Sequence, residues 1–248
     1  MLQNQTIEKM CKLKLNGMAE GFQDQLTNPV VNDLSFADRL GLLIDREETY
    51  RDNVRLQRLL RQAKFKYHAA CAEDIDYSPS RGLKKSLMAD LLNMTWVHNG
   101  LNLLVTGPTG TGKTWLACAI GQHACRQGIS TIFKRVPLLL SELQESHSTG
   151  EFRKLLQRLA KPDLLILDDL GVGVLTAQGR SDLMEVVEIR SDLKSTIVTS
   201  QLPIDTWHGF LGSSNKTVAD AIMDRLIGGS VRLNLSGDSL RGDHNTQK

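Results

Sequence analysis

The sequence lacks the features that define several large protein classes. No apolar run approaches the roughly 18–20 residues that a bilayer-spanning helix needs, so a membrane partner is not expected. The opening MLQNQTIEKMCKLKLNG mixes lysines with apolar residues and has no uninterrupted apolar core, so it does not read as a secretory signal. Four cysteines, Cys11, Cys71, Cys118 and Cys125, form no CxxC pair. A disulfide framework is excluded, and reduced thiols in a cytoplasmic protein are expected. The histidines His68, His98, His123, His147, His208 and His244 are scattered without metal-ligand spacing, and neither GxSxG nor HExxH occurs. A charge excess is missing too: 30 Lys plus Arg against 28 Asp plus Glu leave +2, which neither demands nor forbids a nucleic-acid partner. No internal repeat and no low-complexity tract is present.

What remains is ordinary globular material: 248 residues, 41% hydrophobic, enough for one large domain or two smaller ones. Two textures divide it. Residues 1–78 contain Pro29 and the glycines Gly17, Gly21 and Gly41, and little else that breaks helices. Ile7, Cys11, Leu15, Met18, Phe22 and Leu26 recur at helical steps and predict one amphipathic helix. Ser35 with Asp38 resembles a capping pair opening a second helix through Phe36, Leu40, Leu43, Ile44 and Tyr50, extending towards Ala63. Asp74–Gly82 (DIDYSPSRG) has linker composition. After it, the apolar runs Leu101–Val105, Ile129–Phe133, Leu164–Leu167 and Thr196–Thr199 alternate with helical patterns. That alternation predicts an α/β fold, a parallel sheet flanked by helices, over 79–248, preceded by a small all-helical N-terminal domain over 1–78.

The first chemical signal is Gly107-Pro108-Thr109-Gly110-Thr111-Gly112-Lys113-Thr114, a fit to G-x-x-x-x-G-K-[ST] between a strand and a helix. Glycines let backbone N–H groups turn inward around phosphate oxygens, and the following helix N-terminus adds partial positive charge. Lys113 is placed to bridge the β- and γ-phosphates of ATP, and the Thr114 hydroxyl to ligate Mg²⁺. The second is Leu164-Leu-Ile-Leu167-Asp168-Asp169, a buried strand ending in two acids. Asp168 is assigned to the metal shell and Asp169 to the polarisation of attacking water. A third strand ends in Ser200-Gln201, polar residues that either sense the γ-phosphate or simply terminate a strand.

Arg51, Arg55, Arg58, Arg61, Lys64 and Lys66 oppose a single acid, Asp52, between Arg51 and His68. Arg51, Arg55 and Arg58, with Lys66, step so that much of this charge shares a helix face. Such a stripe suits phosphate backbones in a salt-dependent, sequence-tolerant way, and equally suits a solvated helix face. No recognition-helix or zinc-finger signature suggests base readout.

These motifs, in this order, resemble the AAA+ ATPases, and specifically the IstB-like branch, ATPase helpers of insertion-sequence transposases related to DnaC-like helicase loaders. The resemblance runs through Leu15-Asn-Gly17-Met18-Ala-Glu20, Thr199-Ser-Gln-Leu-Pro203, Trp207-His208, Ala219-Asp-Ala-Ile-Met-Asp-Arg225-Leu226 and Gly237-Asp-Ser239-Leu-Arg241. It implies a P-loop NTPase fold and hydrolysis of ATP to ADP and phosphate at subunit interfaces. It also implies an ATP-dependent homo-oligomer on duplex DNA, largely sequence-nonspecific, and a cognate transposase partner. By position, Arg225 matches the arginine finger that acts on a neighbour, Ser200 and Gln201 the sensor-1 position, and Arg241 the sensor-2 position. The chain departs from the wider family in two places. Asp169 stands where most carry Glu, and residues 228–248 are too few for the usual helical lid. A DnaC-like loader and an ATP-binding DNA scaffold with little hydrolysis are the alternatives. A small-molecule kinase is disfavoured because no acceptor-binding segment is evident.

Overall fold

The computed structural model describes residues 2–212 and 216–240. The chain divides into two compact units, Met1–Arg58 and Leu59–Lys248.

In the first unit, α1 (Leu2–Lys12) and α2 (Asn16–Thr27) stand where the periodicity suggests a single helix. The break is at Lys14, whose φ of 59° is left-handed. Lys14 N donates to Cys11 O at 3.0 Å and Leu15 N to Met10 O at 2.9 Å, a closing pattern that ends a helix regardless of the apolar period. A short 3₁₀ turn, Pro29–Asp33, leads to α3 (Phe36–Ala63), which starts where the capping pair placed it. Asp38 N donates to Ser35 Oγ at 3.2 Å, and the Ser35 hydroxyl donates to Asp38 Oδ2 at 2.6 Å. Gly17 lets α2 approach α3, since a Cβ there would lie 2.6 Å from Tyr50 Cβ.

The second unit continues through α4 (Lys85–Leu92), α5 (Thr95–His98), β1 (Leu103–Thr106), α6 (Lys113–Arg126), β2 (Thr131–Arg135), α7 (Val136–Thr149) and α8 (Phe152–Ala160). It ends with β3 (Leu164–Leu170), α9 (Ala177–Glu188), β4 (Ser195–Ser200), α10 (Trp207–Gly212), α11 (Lys216–Ile227) and β5 (Val231–Asn234). The five strands form one parallel sheet in the order β2-β3-β4-β1-β5. All residues of β1 and β4 are buried, as expected of strands covered on both faces. Side chains alternate between the faces. Leu104, Leu165, Leu167 and Val198 join a core with α7 to α11, including Leu139, Leu183, Trp207 and Ile222. On the opposite face Ile166 meets α6, where a Cβ on Gly121 would lie 2.8 Å from Ile166 Cδ1 and 2.6 Å from Phe65 Cε1.

That Phe65 contact shows where residues 59–78 pack. The sequence reading groups them with the helical module, yet Phe65, Ala70, Ala72 and Ile75 are buried in the second unit. Strand β5 was not anticipated. In Val-Arg-Leu-Asn only Leu233 is buried, so this edge strand carries no apolar run to announce it. Among the described residues, no helix is long and apolar enough to cross a membrane.

Candidate nucleotide site

Strand β1 runs directly into the glycine loop. Gly107, Gly110 and Gly112 have φ of 143°, 90° and 83°, conformations that side chains resist. A Cβ on Gly107 would also collide with the carbonyl oxygen of Leu235, so the loop is closely backed by the segment after β5. Gly112 is the N-cap of α6, which aims the helix N-terminus at the loop. Thr111 is buried, its hydroxyl donating to Pro108 O at 2.9 Å, and Arg81 Nη2 donates to Thr111 O at 2.8 Å. The Lys113 ammonium is likewise buried and donates to Gly107 O and Pro108 O, both at 2.7 Å. The loop is therefore held both by its own polar atoms and, from outside it, by Arg81 and the Leu235 backbone.

The two acids end up in different environments because β3 is irregular there. The pairing with β4 shifts register between Leu167 and Leu170, and Asp169 adopts φ 64°. Asp168 stays fully buried and accepts hydroxyl donors at Oδ1 from Thr114 at 2.8 Å and Thr199 at 2.6 Å. Burial raises its pKa above the ordinary carboxylate value; the Thr199 and Thr114 hydroxyls pull the other way. Its second oxygen, Oδ2, is buried and has no hydrogen-bond partner. A buried carboxylate oxygen without a donor is costly, and a hard cation would satisfy it. Thr114 Oγ1 and Asp168 thus fit a Mg²⁺ ion, which takes few protein ligands and leaves its other positions to water and phosphate.

Asp169 turns towards β2. Arg135 Nε donates to its Oδ2 at 2.7 Å, and its N–H donates to Thr199 Oγ1 at 3.1 Å. Thr199 thus touches both acids, and the sequence reading assigned it no role. Gln201 reaches the loop: Thr109 Oγ1 donates to its Oε1 at 2.7 Å. Tyr67, Thr109, Gly110, Gly112, Lys113, Thr114, Trp115, Asp169, Gln201 and Leu240 line a cavity of about 420 Å³. Ser200 is not among them. Its hydroxyl donates to Leu170 O at 2.6 Å and closes the end of β3 against β4.

Arg225 lies elsewhere. Asn102, just before β1, donates Nδ2 to Arg225 O at 2.8 Å, which fixes the end of α11 at the N-terminal edge of the sheet. The glycine loop is at the C-terminal edge, one strand of roughly 13 Å away. The guanidinium is ion-paired with Glu188. Arg241 falls outside the described residues.

Of the basic stripe, Arg51, Arg55, Arg58 and Arg61 lie on α3, and Lys64 and Lys66 lie beyond it. Arg51 Nε is bonded to Glu47 Oε1 at 2.6 Å, Arg55 is engaged in a further interaction, and Arg58 and Arg61 are exposed. Helix α3 stops at Ala63, so Lys64, with φ 54°, and Lys66, 5.5 Å over the Tyr67 ring, have left it. These two lysines instead join Lys134, Arg135 and Arg158 around a groove of about 570 Å³ beside the edge strand β2. The sequence reading missed the last three. The adjacent Lys134-Arg135 at the end of an apolar run was the available signal.

A family model described as IstB-like ATP binding protein matches residues 8–248. A Pseudomonas fluorescens protein named as an ATP-binding protein of insertion sequence IS1162 is 49% identical over 86% of this chain and 92% of its own length. An insertion-sequence ATP-binding protein of Sinorhizobium fredii is 43% identical over 97% of each chain. Among solved structures, the DnaC helicase loader superposes with a TM-score of 0.54 at 22% identity, over 67% of this chain and 97% of that one. DnaA from Aquifex aeolicus bound to AMPPCP gives 0.58 at 20% identity, over 72% and 54%. These two likenesses establish the fold, a parallel sheet flanked by helices of the P-loop AAA+ kind. With its glycine loop, its paired acids and a family match from residue 8 onward, the chain belongs to the IstB-like ATP binding proteins.

Proposed function

We propose that this chain hydrolyses ATP to ADP and phosphate with Mg²⁺, at interfaces between copies assembled on duplex DNA, and that the assembly assists a transposase. The observation that carries the reading is the separation of the machinery between two edges of one sheet. Among the described residues lining the cavity, Lys113 is the one cation, while Arg225 stands at the far edge. A second copy placing its Arg225 at this cavity would complete the site.

Within one copy, the glycine-loop amides and the α6 N-terminus bind the phosphates, and Lys113 exchanges its two carbonyl partners for phosphate oxygens. Thr114 and Asp168 hold Mg²⁺, which when bound neutralises phosphate charge. Asp169 orients the attacking water and accepts its proton, Gln201 fixes Thr109 at the rim, and Arg225 of the neighbour stabilises developing charge. Arg241, by its place in the sequence, is proposed to reach the same phosphates. For DNA, we assign the groove cations Lys64, Lys66, Lys134 and Arg158 together with Arg61 to phosphate contacts. In the first unit, Arg51, Arg55 and Arg58 of the helical domain are assigned the same role. The relatives' association with insertion sequences supports the transposase part of this proposal.

One observation favours a second reading. Asp169 is held by Arg135 and is shorter than glutamate, which suits an ATP-binding scaffold with slow turnover. ATP turnover and particle size by sedimentation, with and without a random duplex over a salt series, separate these readings. Duplex-driven, ATP-dependent assembly with stimulated turnover is the expected result. Assembly without turnover would establish the scaffold, and a response to single strands or a helicase alone would establish a DnaC-like loader.

A further inference from the structure

Glu188 is the last residue of α9, and Arg225 lies in the last turn of α11. A carboxylate at a helix C-terminus faces the negative end of the helix dipole, so a cation beside Glu188 offsets an unfavourable field. Arg225 supplies that cation through Nε, while its Nη1 donates to Ala221 O at 3.1 Å. The side chains are part-exposed, at 26% for Arg225 and 48% for Glu188, so the pair is within reach of a neighbouring molecule.

Both helix ends are pinned by buried polar anchors that touch neither the glycine loop nor the acids. Arg190, two residues beyond Glu188, is 1% exposed. It donates to Leu159 O at 2.8 Å, Pro162 O at 2.9 Å, Ser195 O at 2.6 Å and Thr196 Oγ1 at 3.3 Å. Burial pushes its pKa down to about 10, and Asp163 counteracts that only in part. Asn102 holds Arg225 O and Leu226 O at 2.8 and 3.3 Å, and accepts Thr196 N at Oδ1 at 3.0 Å. Thr196 thus touches both anchors, and the two helices carrying the pair are fixed to one residue of β4.

We propose that Glu188 is a positioning residue that parks the Arg225 guanidinium in the unassembled subunit and surrenders it to the anionic nucleotide of a neighbouring copy on assembly. This rests on the reading of Arg225 as a trans-acting group. The parked state prevents an unpaired cation from seeking other anions, and it makes assembly compete with an internal ion pair. Because the pair is part-exposed, its strength is that of a modest surface bridge, so the competition is worth about two- to fivefold in the assembly equilibrium.

The test is a double-mutant cycle on the full chain: parent, Glu188→Gln, Arg225→Ala and both together. Sedimentation at saturating ATP reads the protein concentration at half-assembly, and turnover is followed over the same range. Glu188→Gln is expected to lower the half-assembly concentration about two- to fivefold, while the turnover plateau moves less than twofold. In the Arg225→Ala background the same substitution should leave half-assembly where it was. An unshifted midpoint in Glu188→Gln overturns the proposal. So does an equal shift in both backgrounds, or a collapsed plateau, which would make Glu188 a structural residue. An Arg225→Ala chain that assembles and hydrolyses like the parent instead defeats the trans-acting reading itself.

Discussion

Thr199 is the residue whose removal most directly tests the acid pair. Its hydroxyl donates to Asp168 Oδ1 at 2.6 Å and accepts the Asp169 N–H at 3.1 Å, fully buried in β4. Thr199→Val keeps the shape and deletes both bonds. A hydrogen bond to a charged group contributes about 1.5–3 kcal/mol, and an amide left buried without a partner costs about 1–3 kcal/mol. A loss of about 3 kcal/mol at neutral pH follows, or a fall in Tm of about 6–12 °C for a chain of this size. The loss also depends on pH. Burial already raises the pKa of Asp168, and Thr199 opposes that rise. A carboxyl with a higher pKa folded than unfolded keeps its proton longer in the folded state. Its stability cost is absent below the unfolded pKa, grows as pH rises to the folded pKa, and is constant above. Deleting Thr199 lifts the folded pKa further, so the extra penalty is full above that raised pKa and falls away as pH drops into the ordinary carboxylate range; pH 8 is therefore compared with about pH 4. Differential scanning calorimetry at both pH values reads this. A Tm loss below about 2 °C at pH 8, or the same loss at both, would show that Thr199 does not hold an ionised Asp168.

Two other substitutions probe the loop and its backing. Lys113→Ala removes charged hydrogen bonds of about 1.5–3 kcal/mol and should weaken ATP binding roughly ten- to 150-fold and abolish ATP-dependent assembly. Particles that grow on ATP as the parent does would refute the role. Gly121→Ala drives a methyl into Phe65 and Ile166 and should cost about 1–3 kcal/mol in urea unfolding. An unchanged midpoint would mean that the 59–78 segment does not press on α6.

What was legible in the sequence was whatever repeats locally. The glycine loop, the apolar runs of β1, β3 and β4 and the Ser35 cap of α3 each announce themselves within a few residues. Lys14 was not legible, because a left-handed helix stop on a lysine has no compositional mark when glycine is absent. Nor was β5, whose pairing with β1 is decided by α11 returning the chain to the sheet edge. Within the site, Lys113, Asp168 and Asp169 were named from the motif. Thr199 and Arg135 were not, since they lie on β4 and β2 and meet the acids only once both strands are paired with β3. Strand-end polarity left Ser200 open between a phosphate contact and a simple strand end, and in the fold its hydroxyl donates to Leu170 O, closing β3 against β4.

A parallel sheet has two unlike edges, and here they carry unlike chemistry. The C-terminal edge holds the glycine loop, Asp168, Asp169 and Gln201, while the N-terminal edge holds Asn102, Arg190, Glu188 and Arg225. An assembly that joins one edge to the other is head-to-tail, with each contact identical to the last. An open chain of n copies then has n − 1 completed sites. A dimer has one complete site for two chains, so its turnover per chain is about half that of a long assembly, and a lone subunit turns over only at the basal rate. Fractionating particles by size and measuring turnover per chain reads the ratio directly. A constant value from monomer upward would mean that the catalytic cation is supplied within each chain, and Arg225 would be relieved of the role.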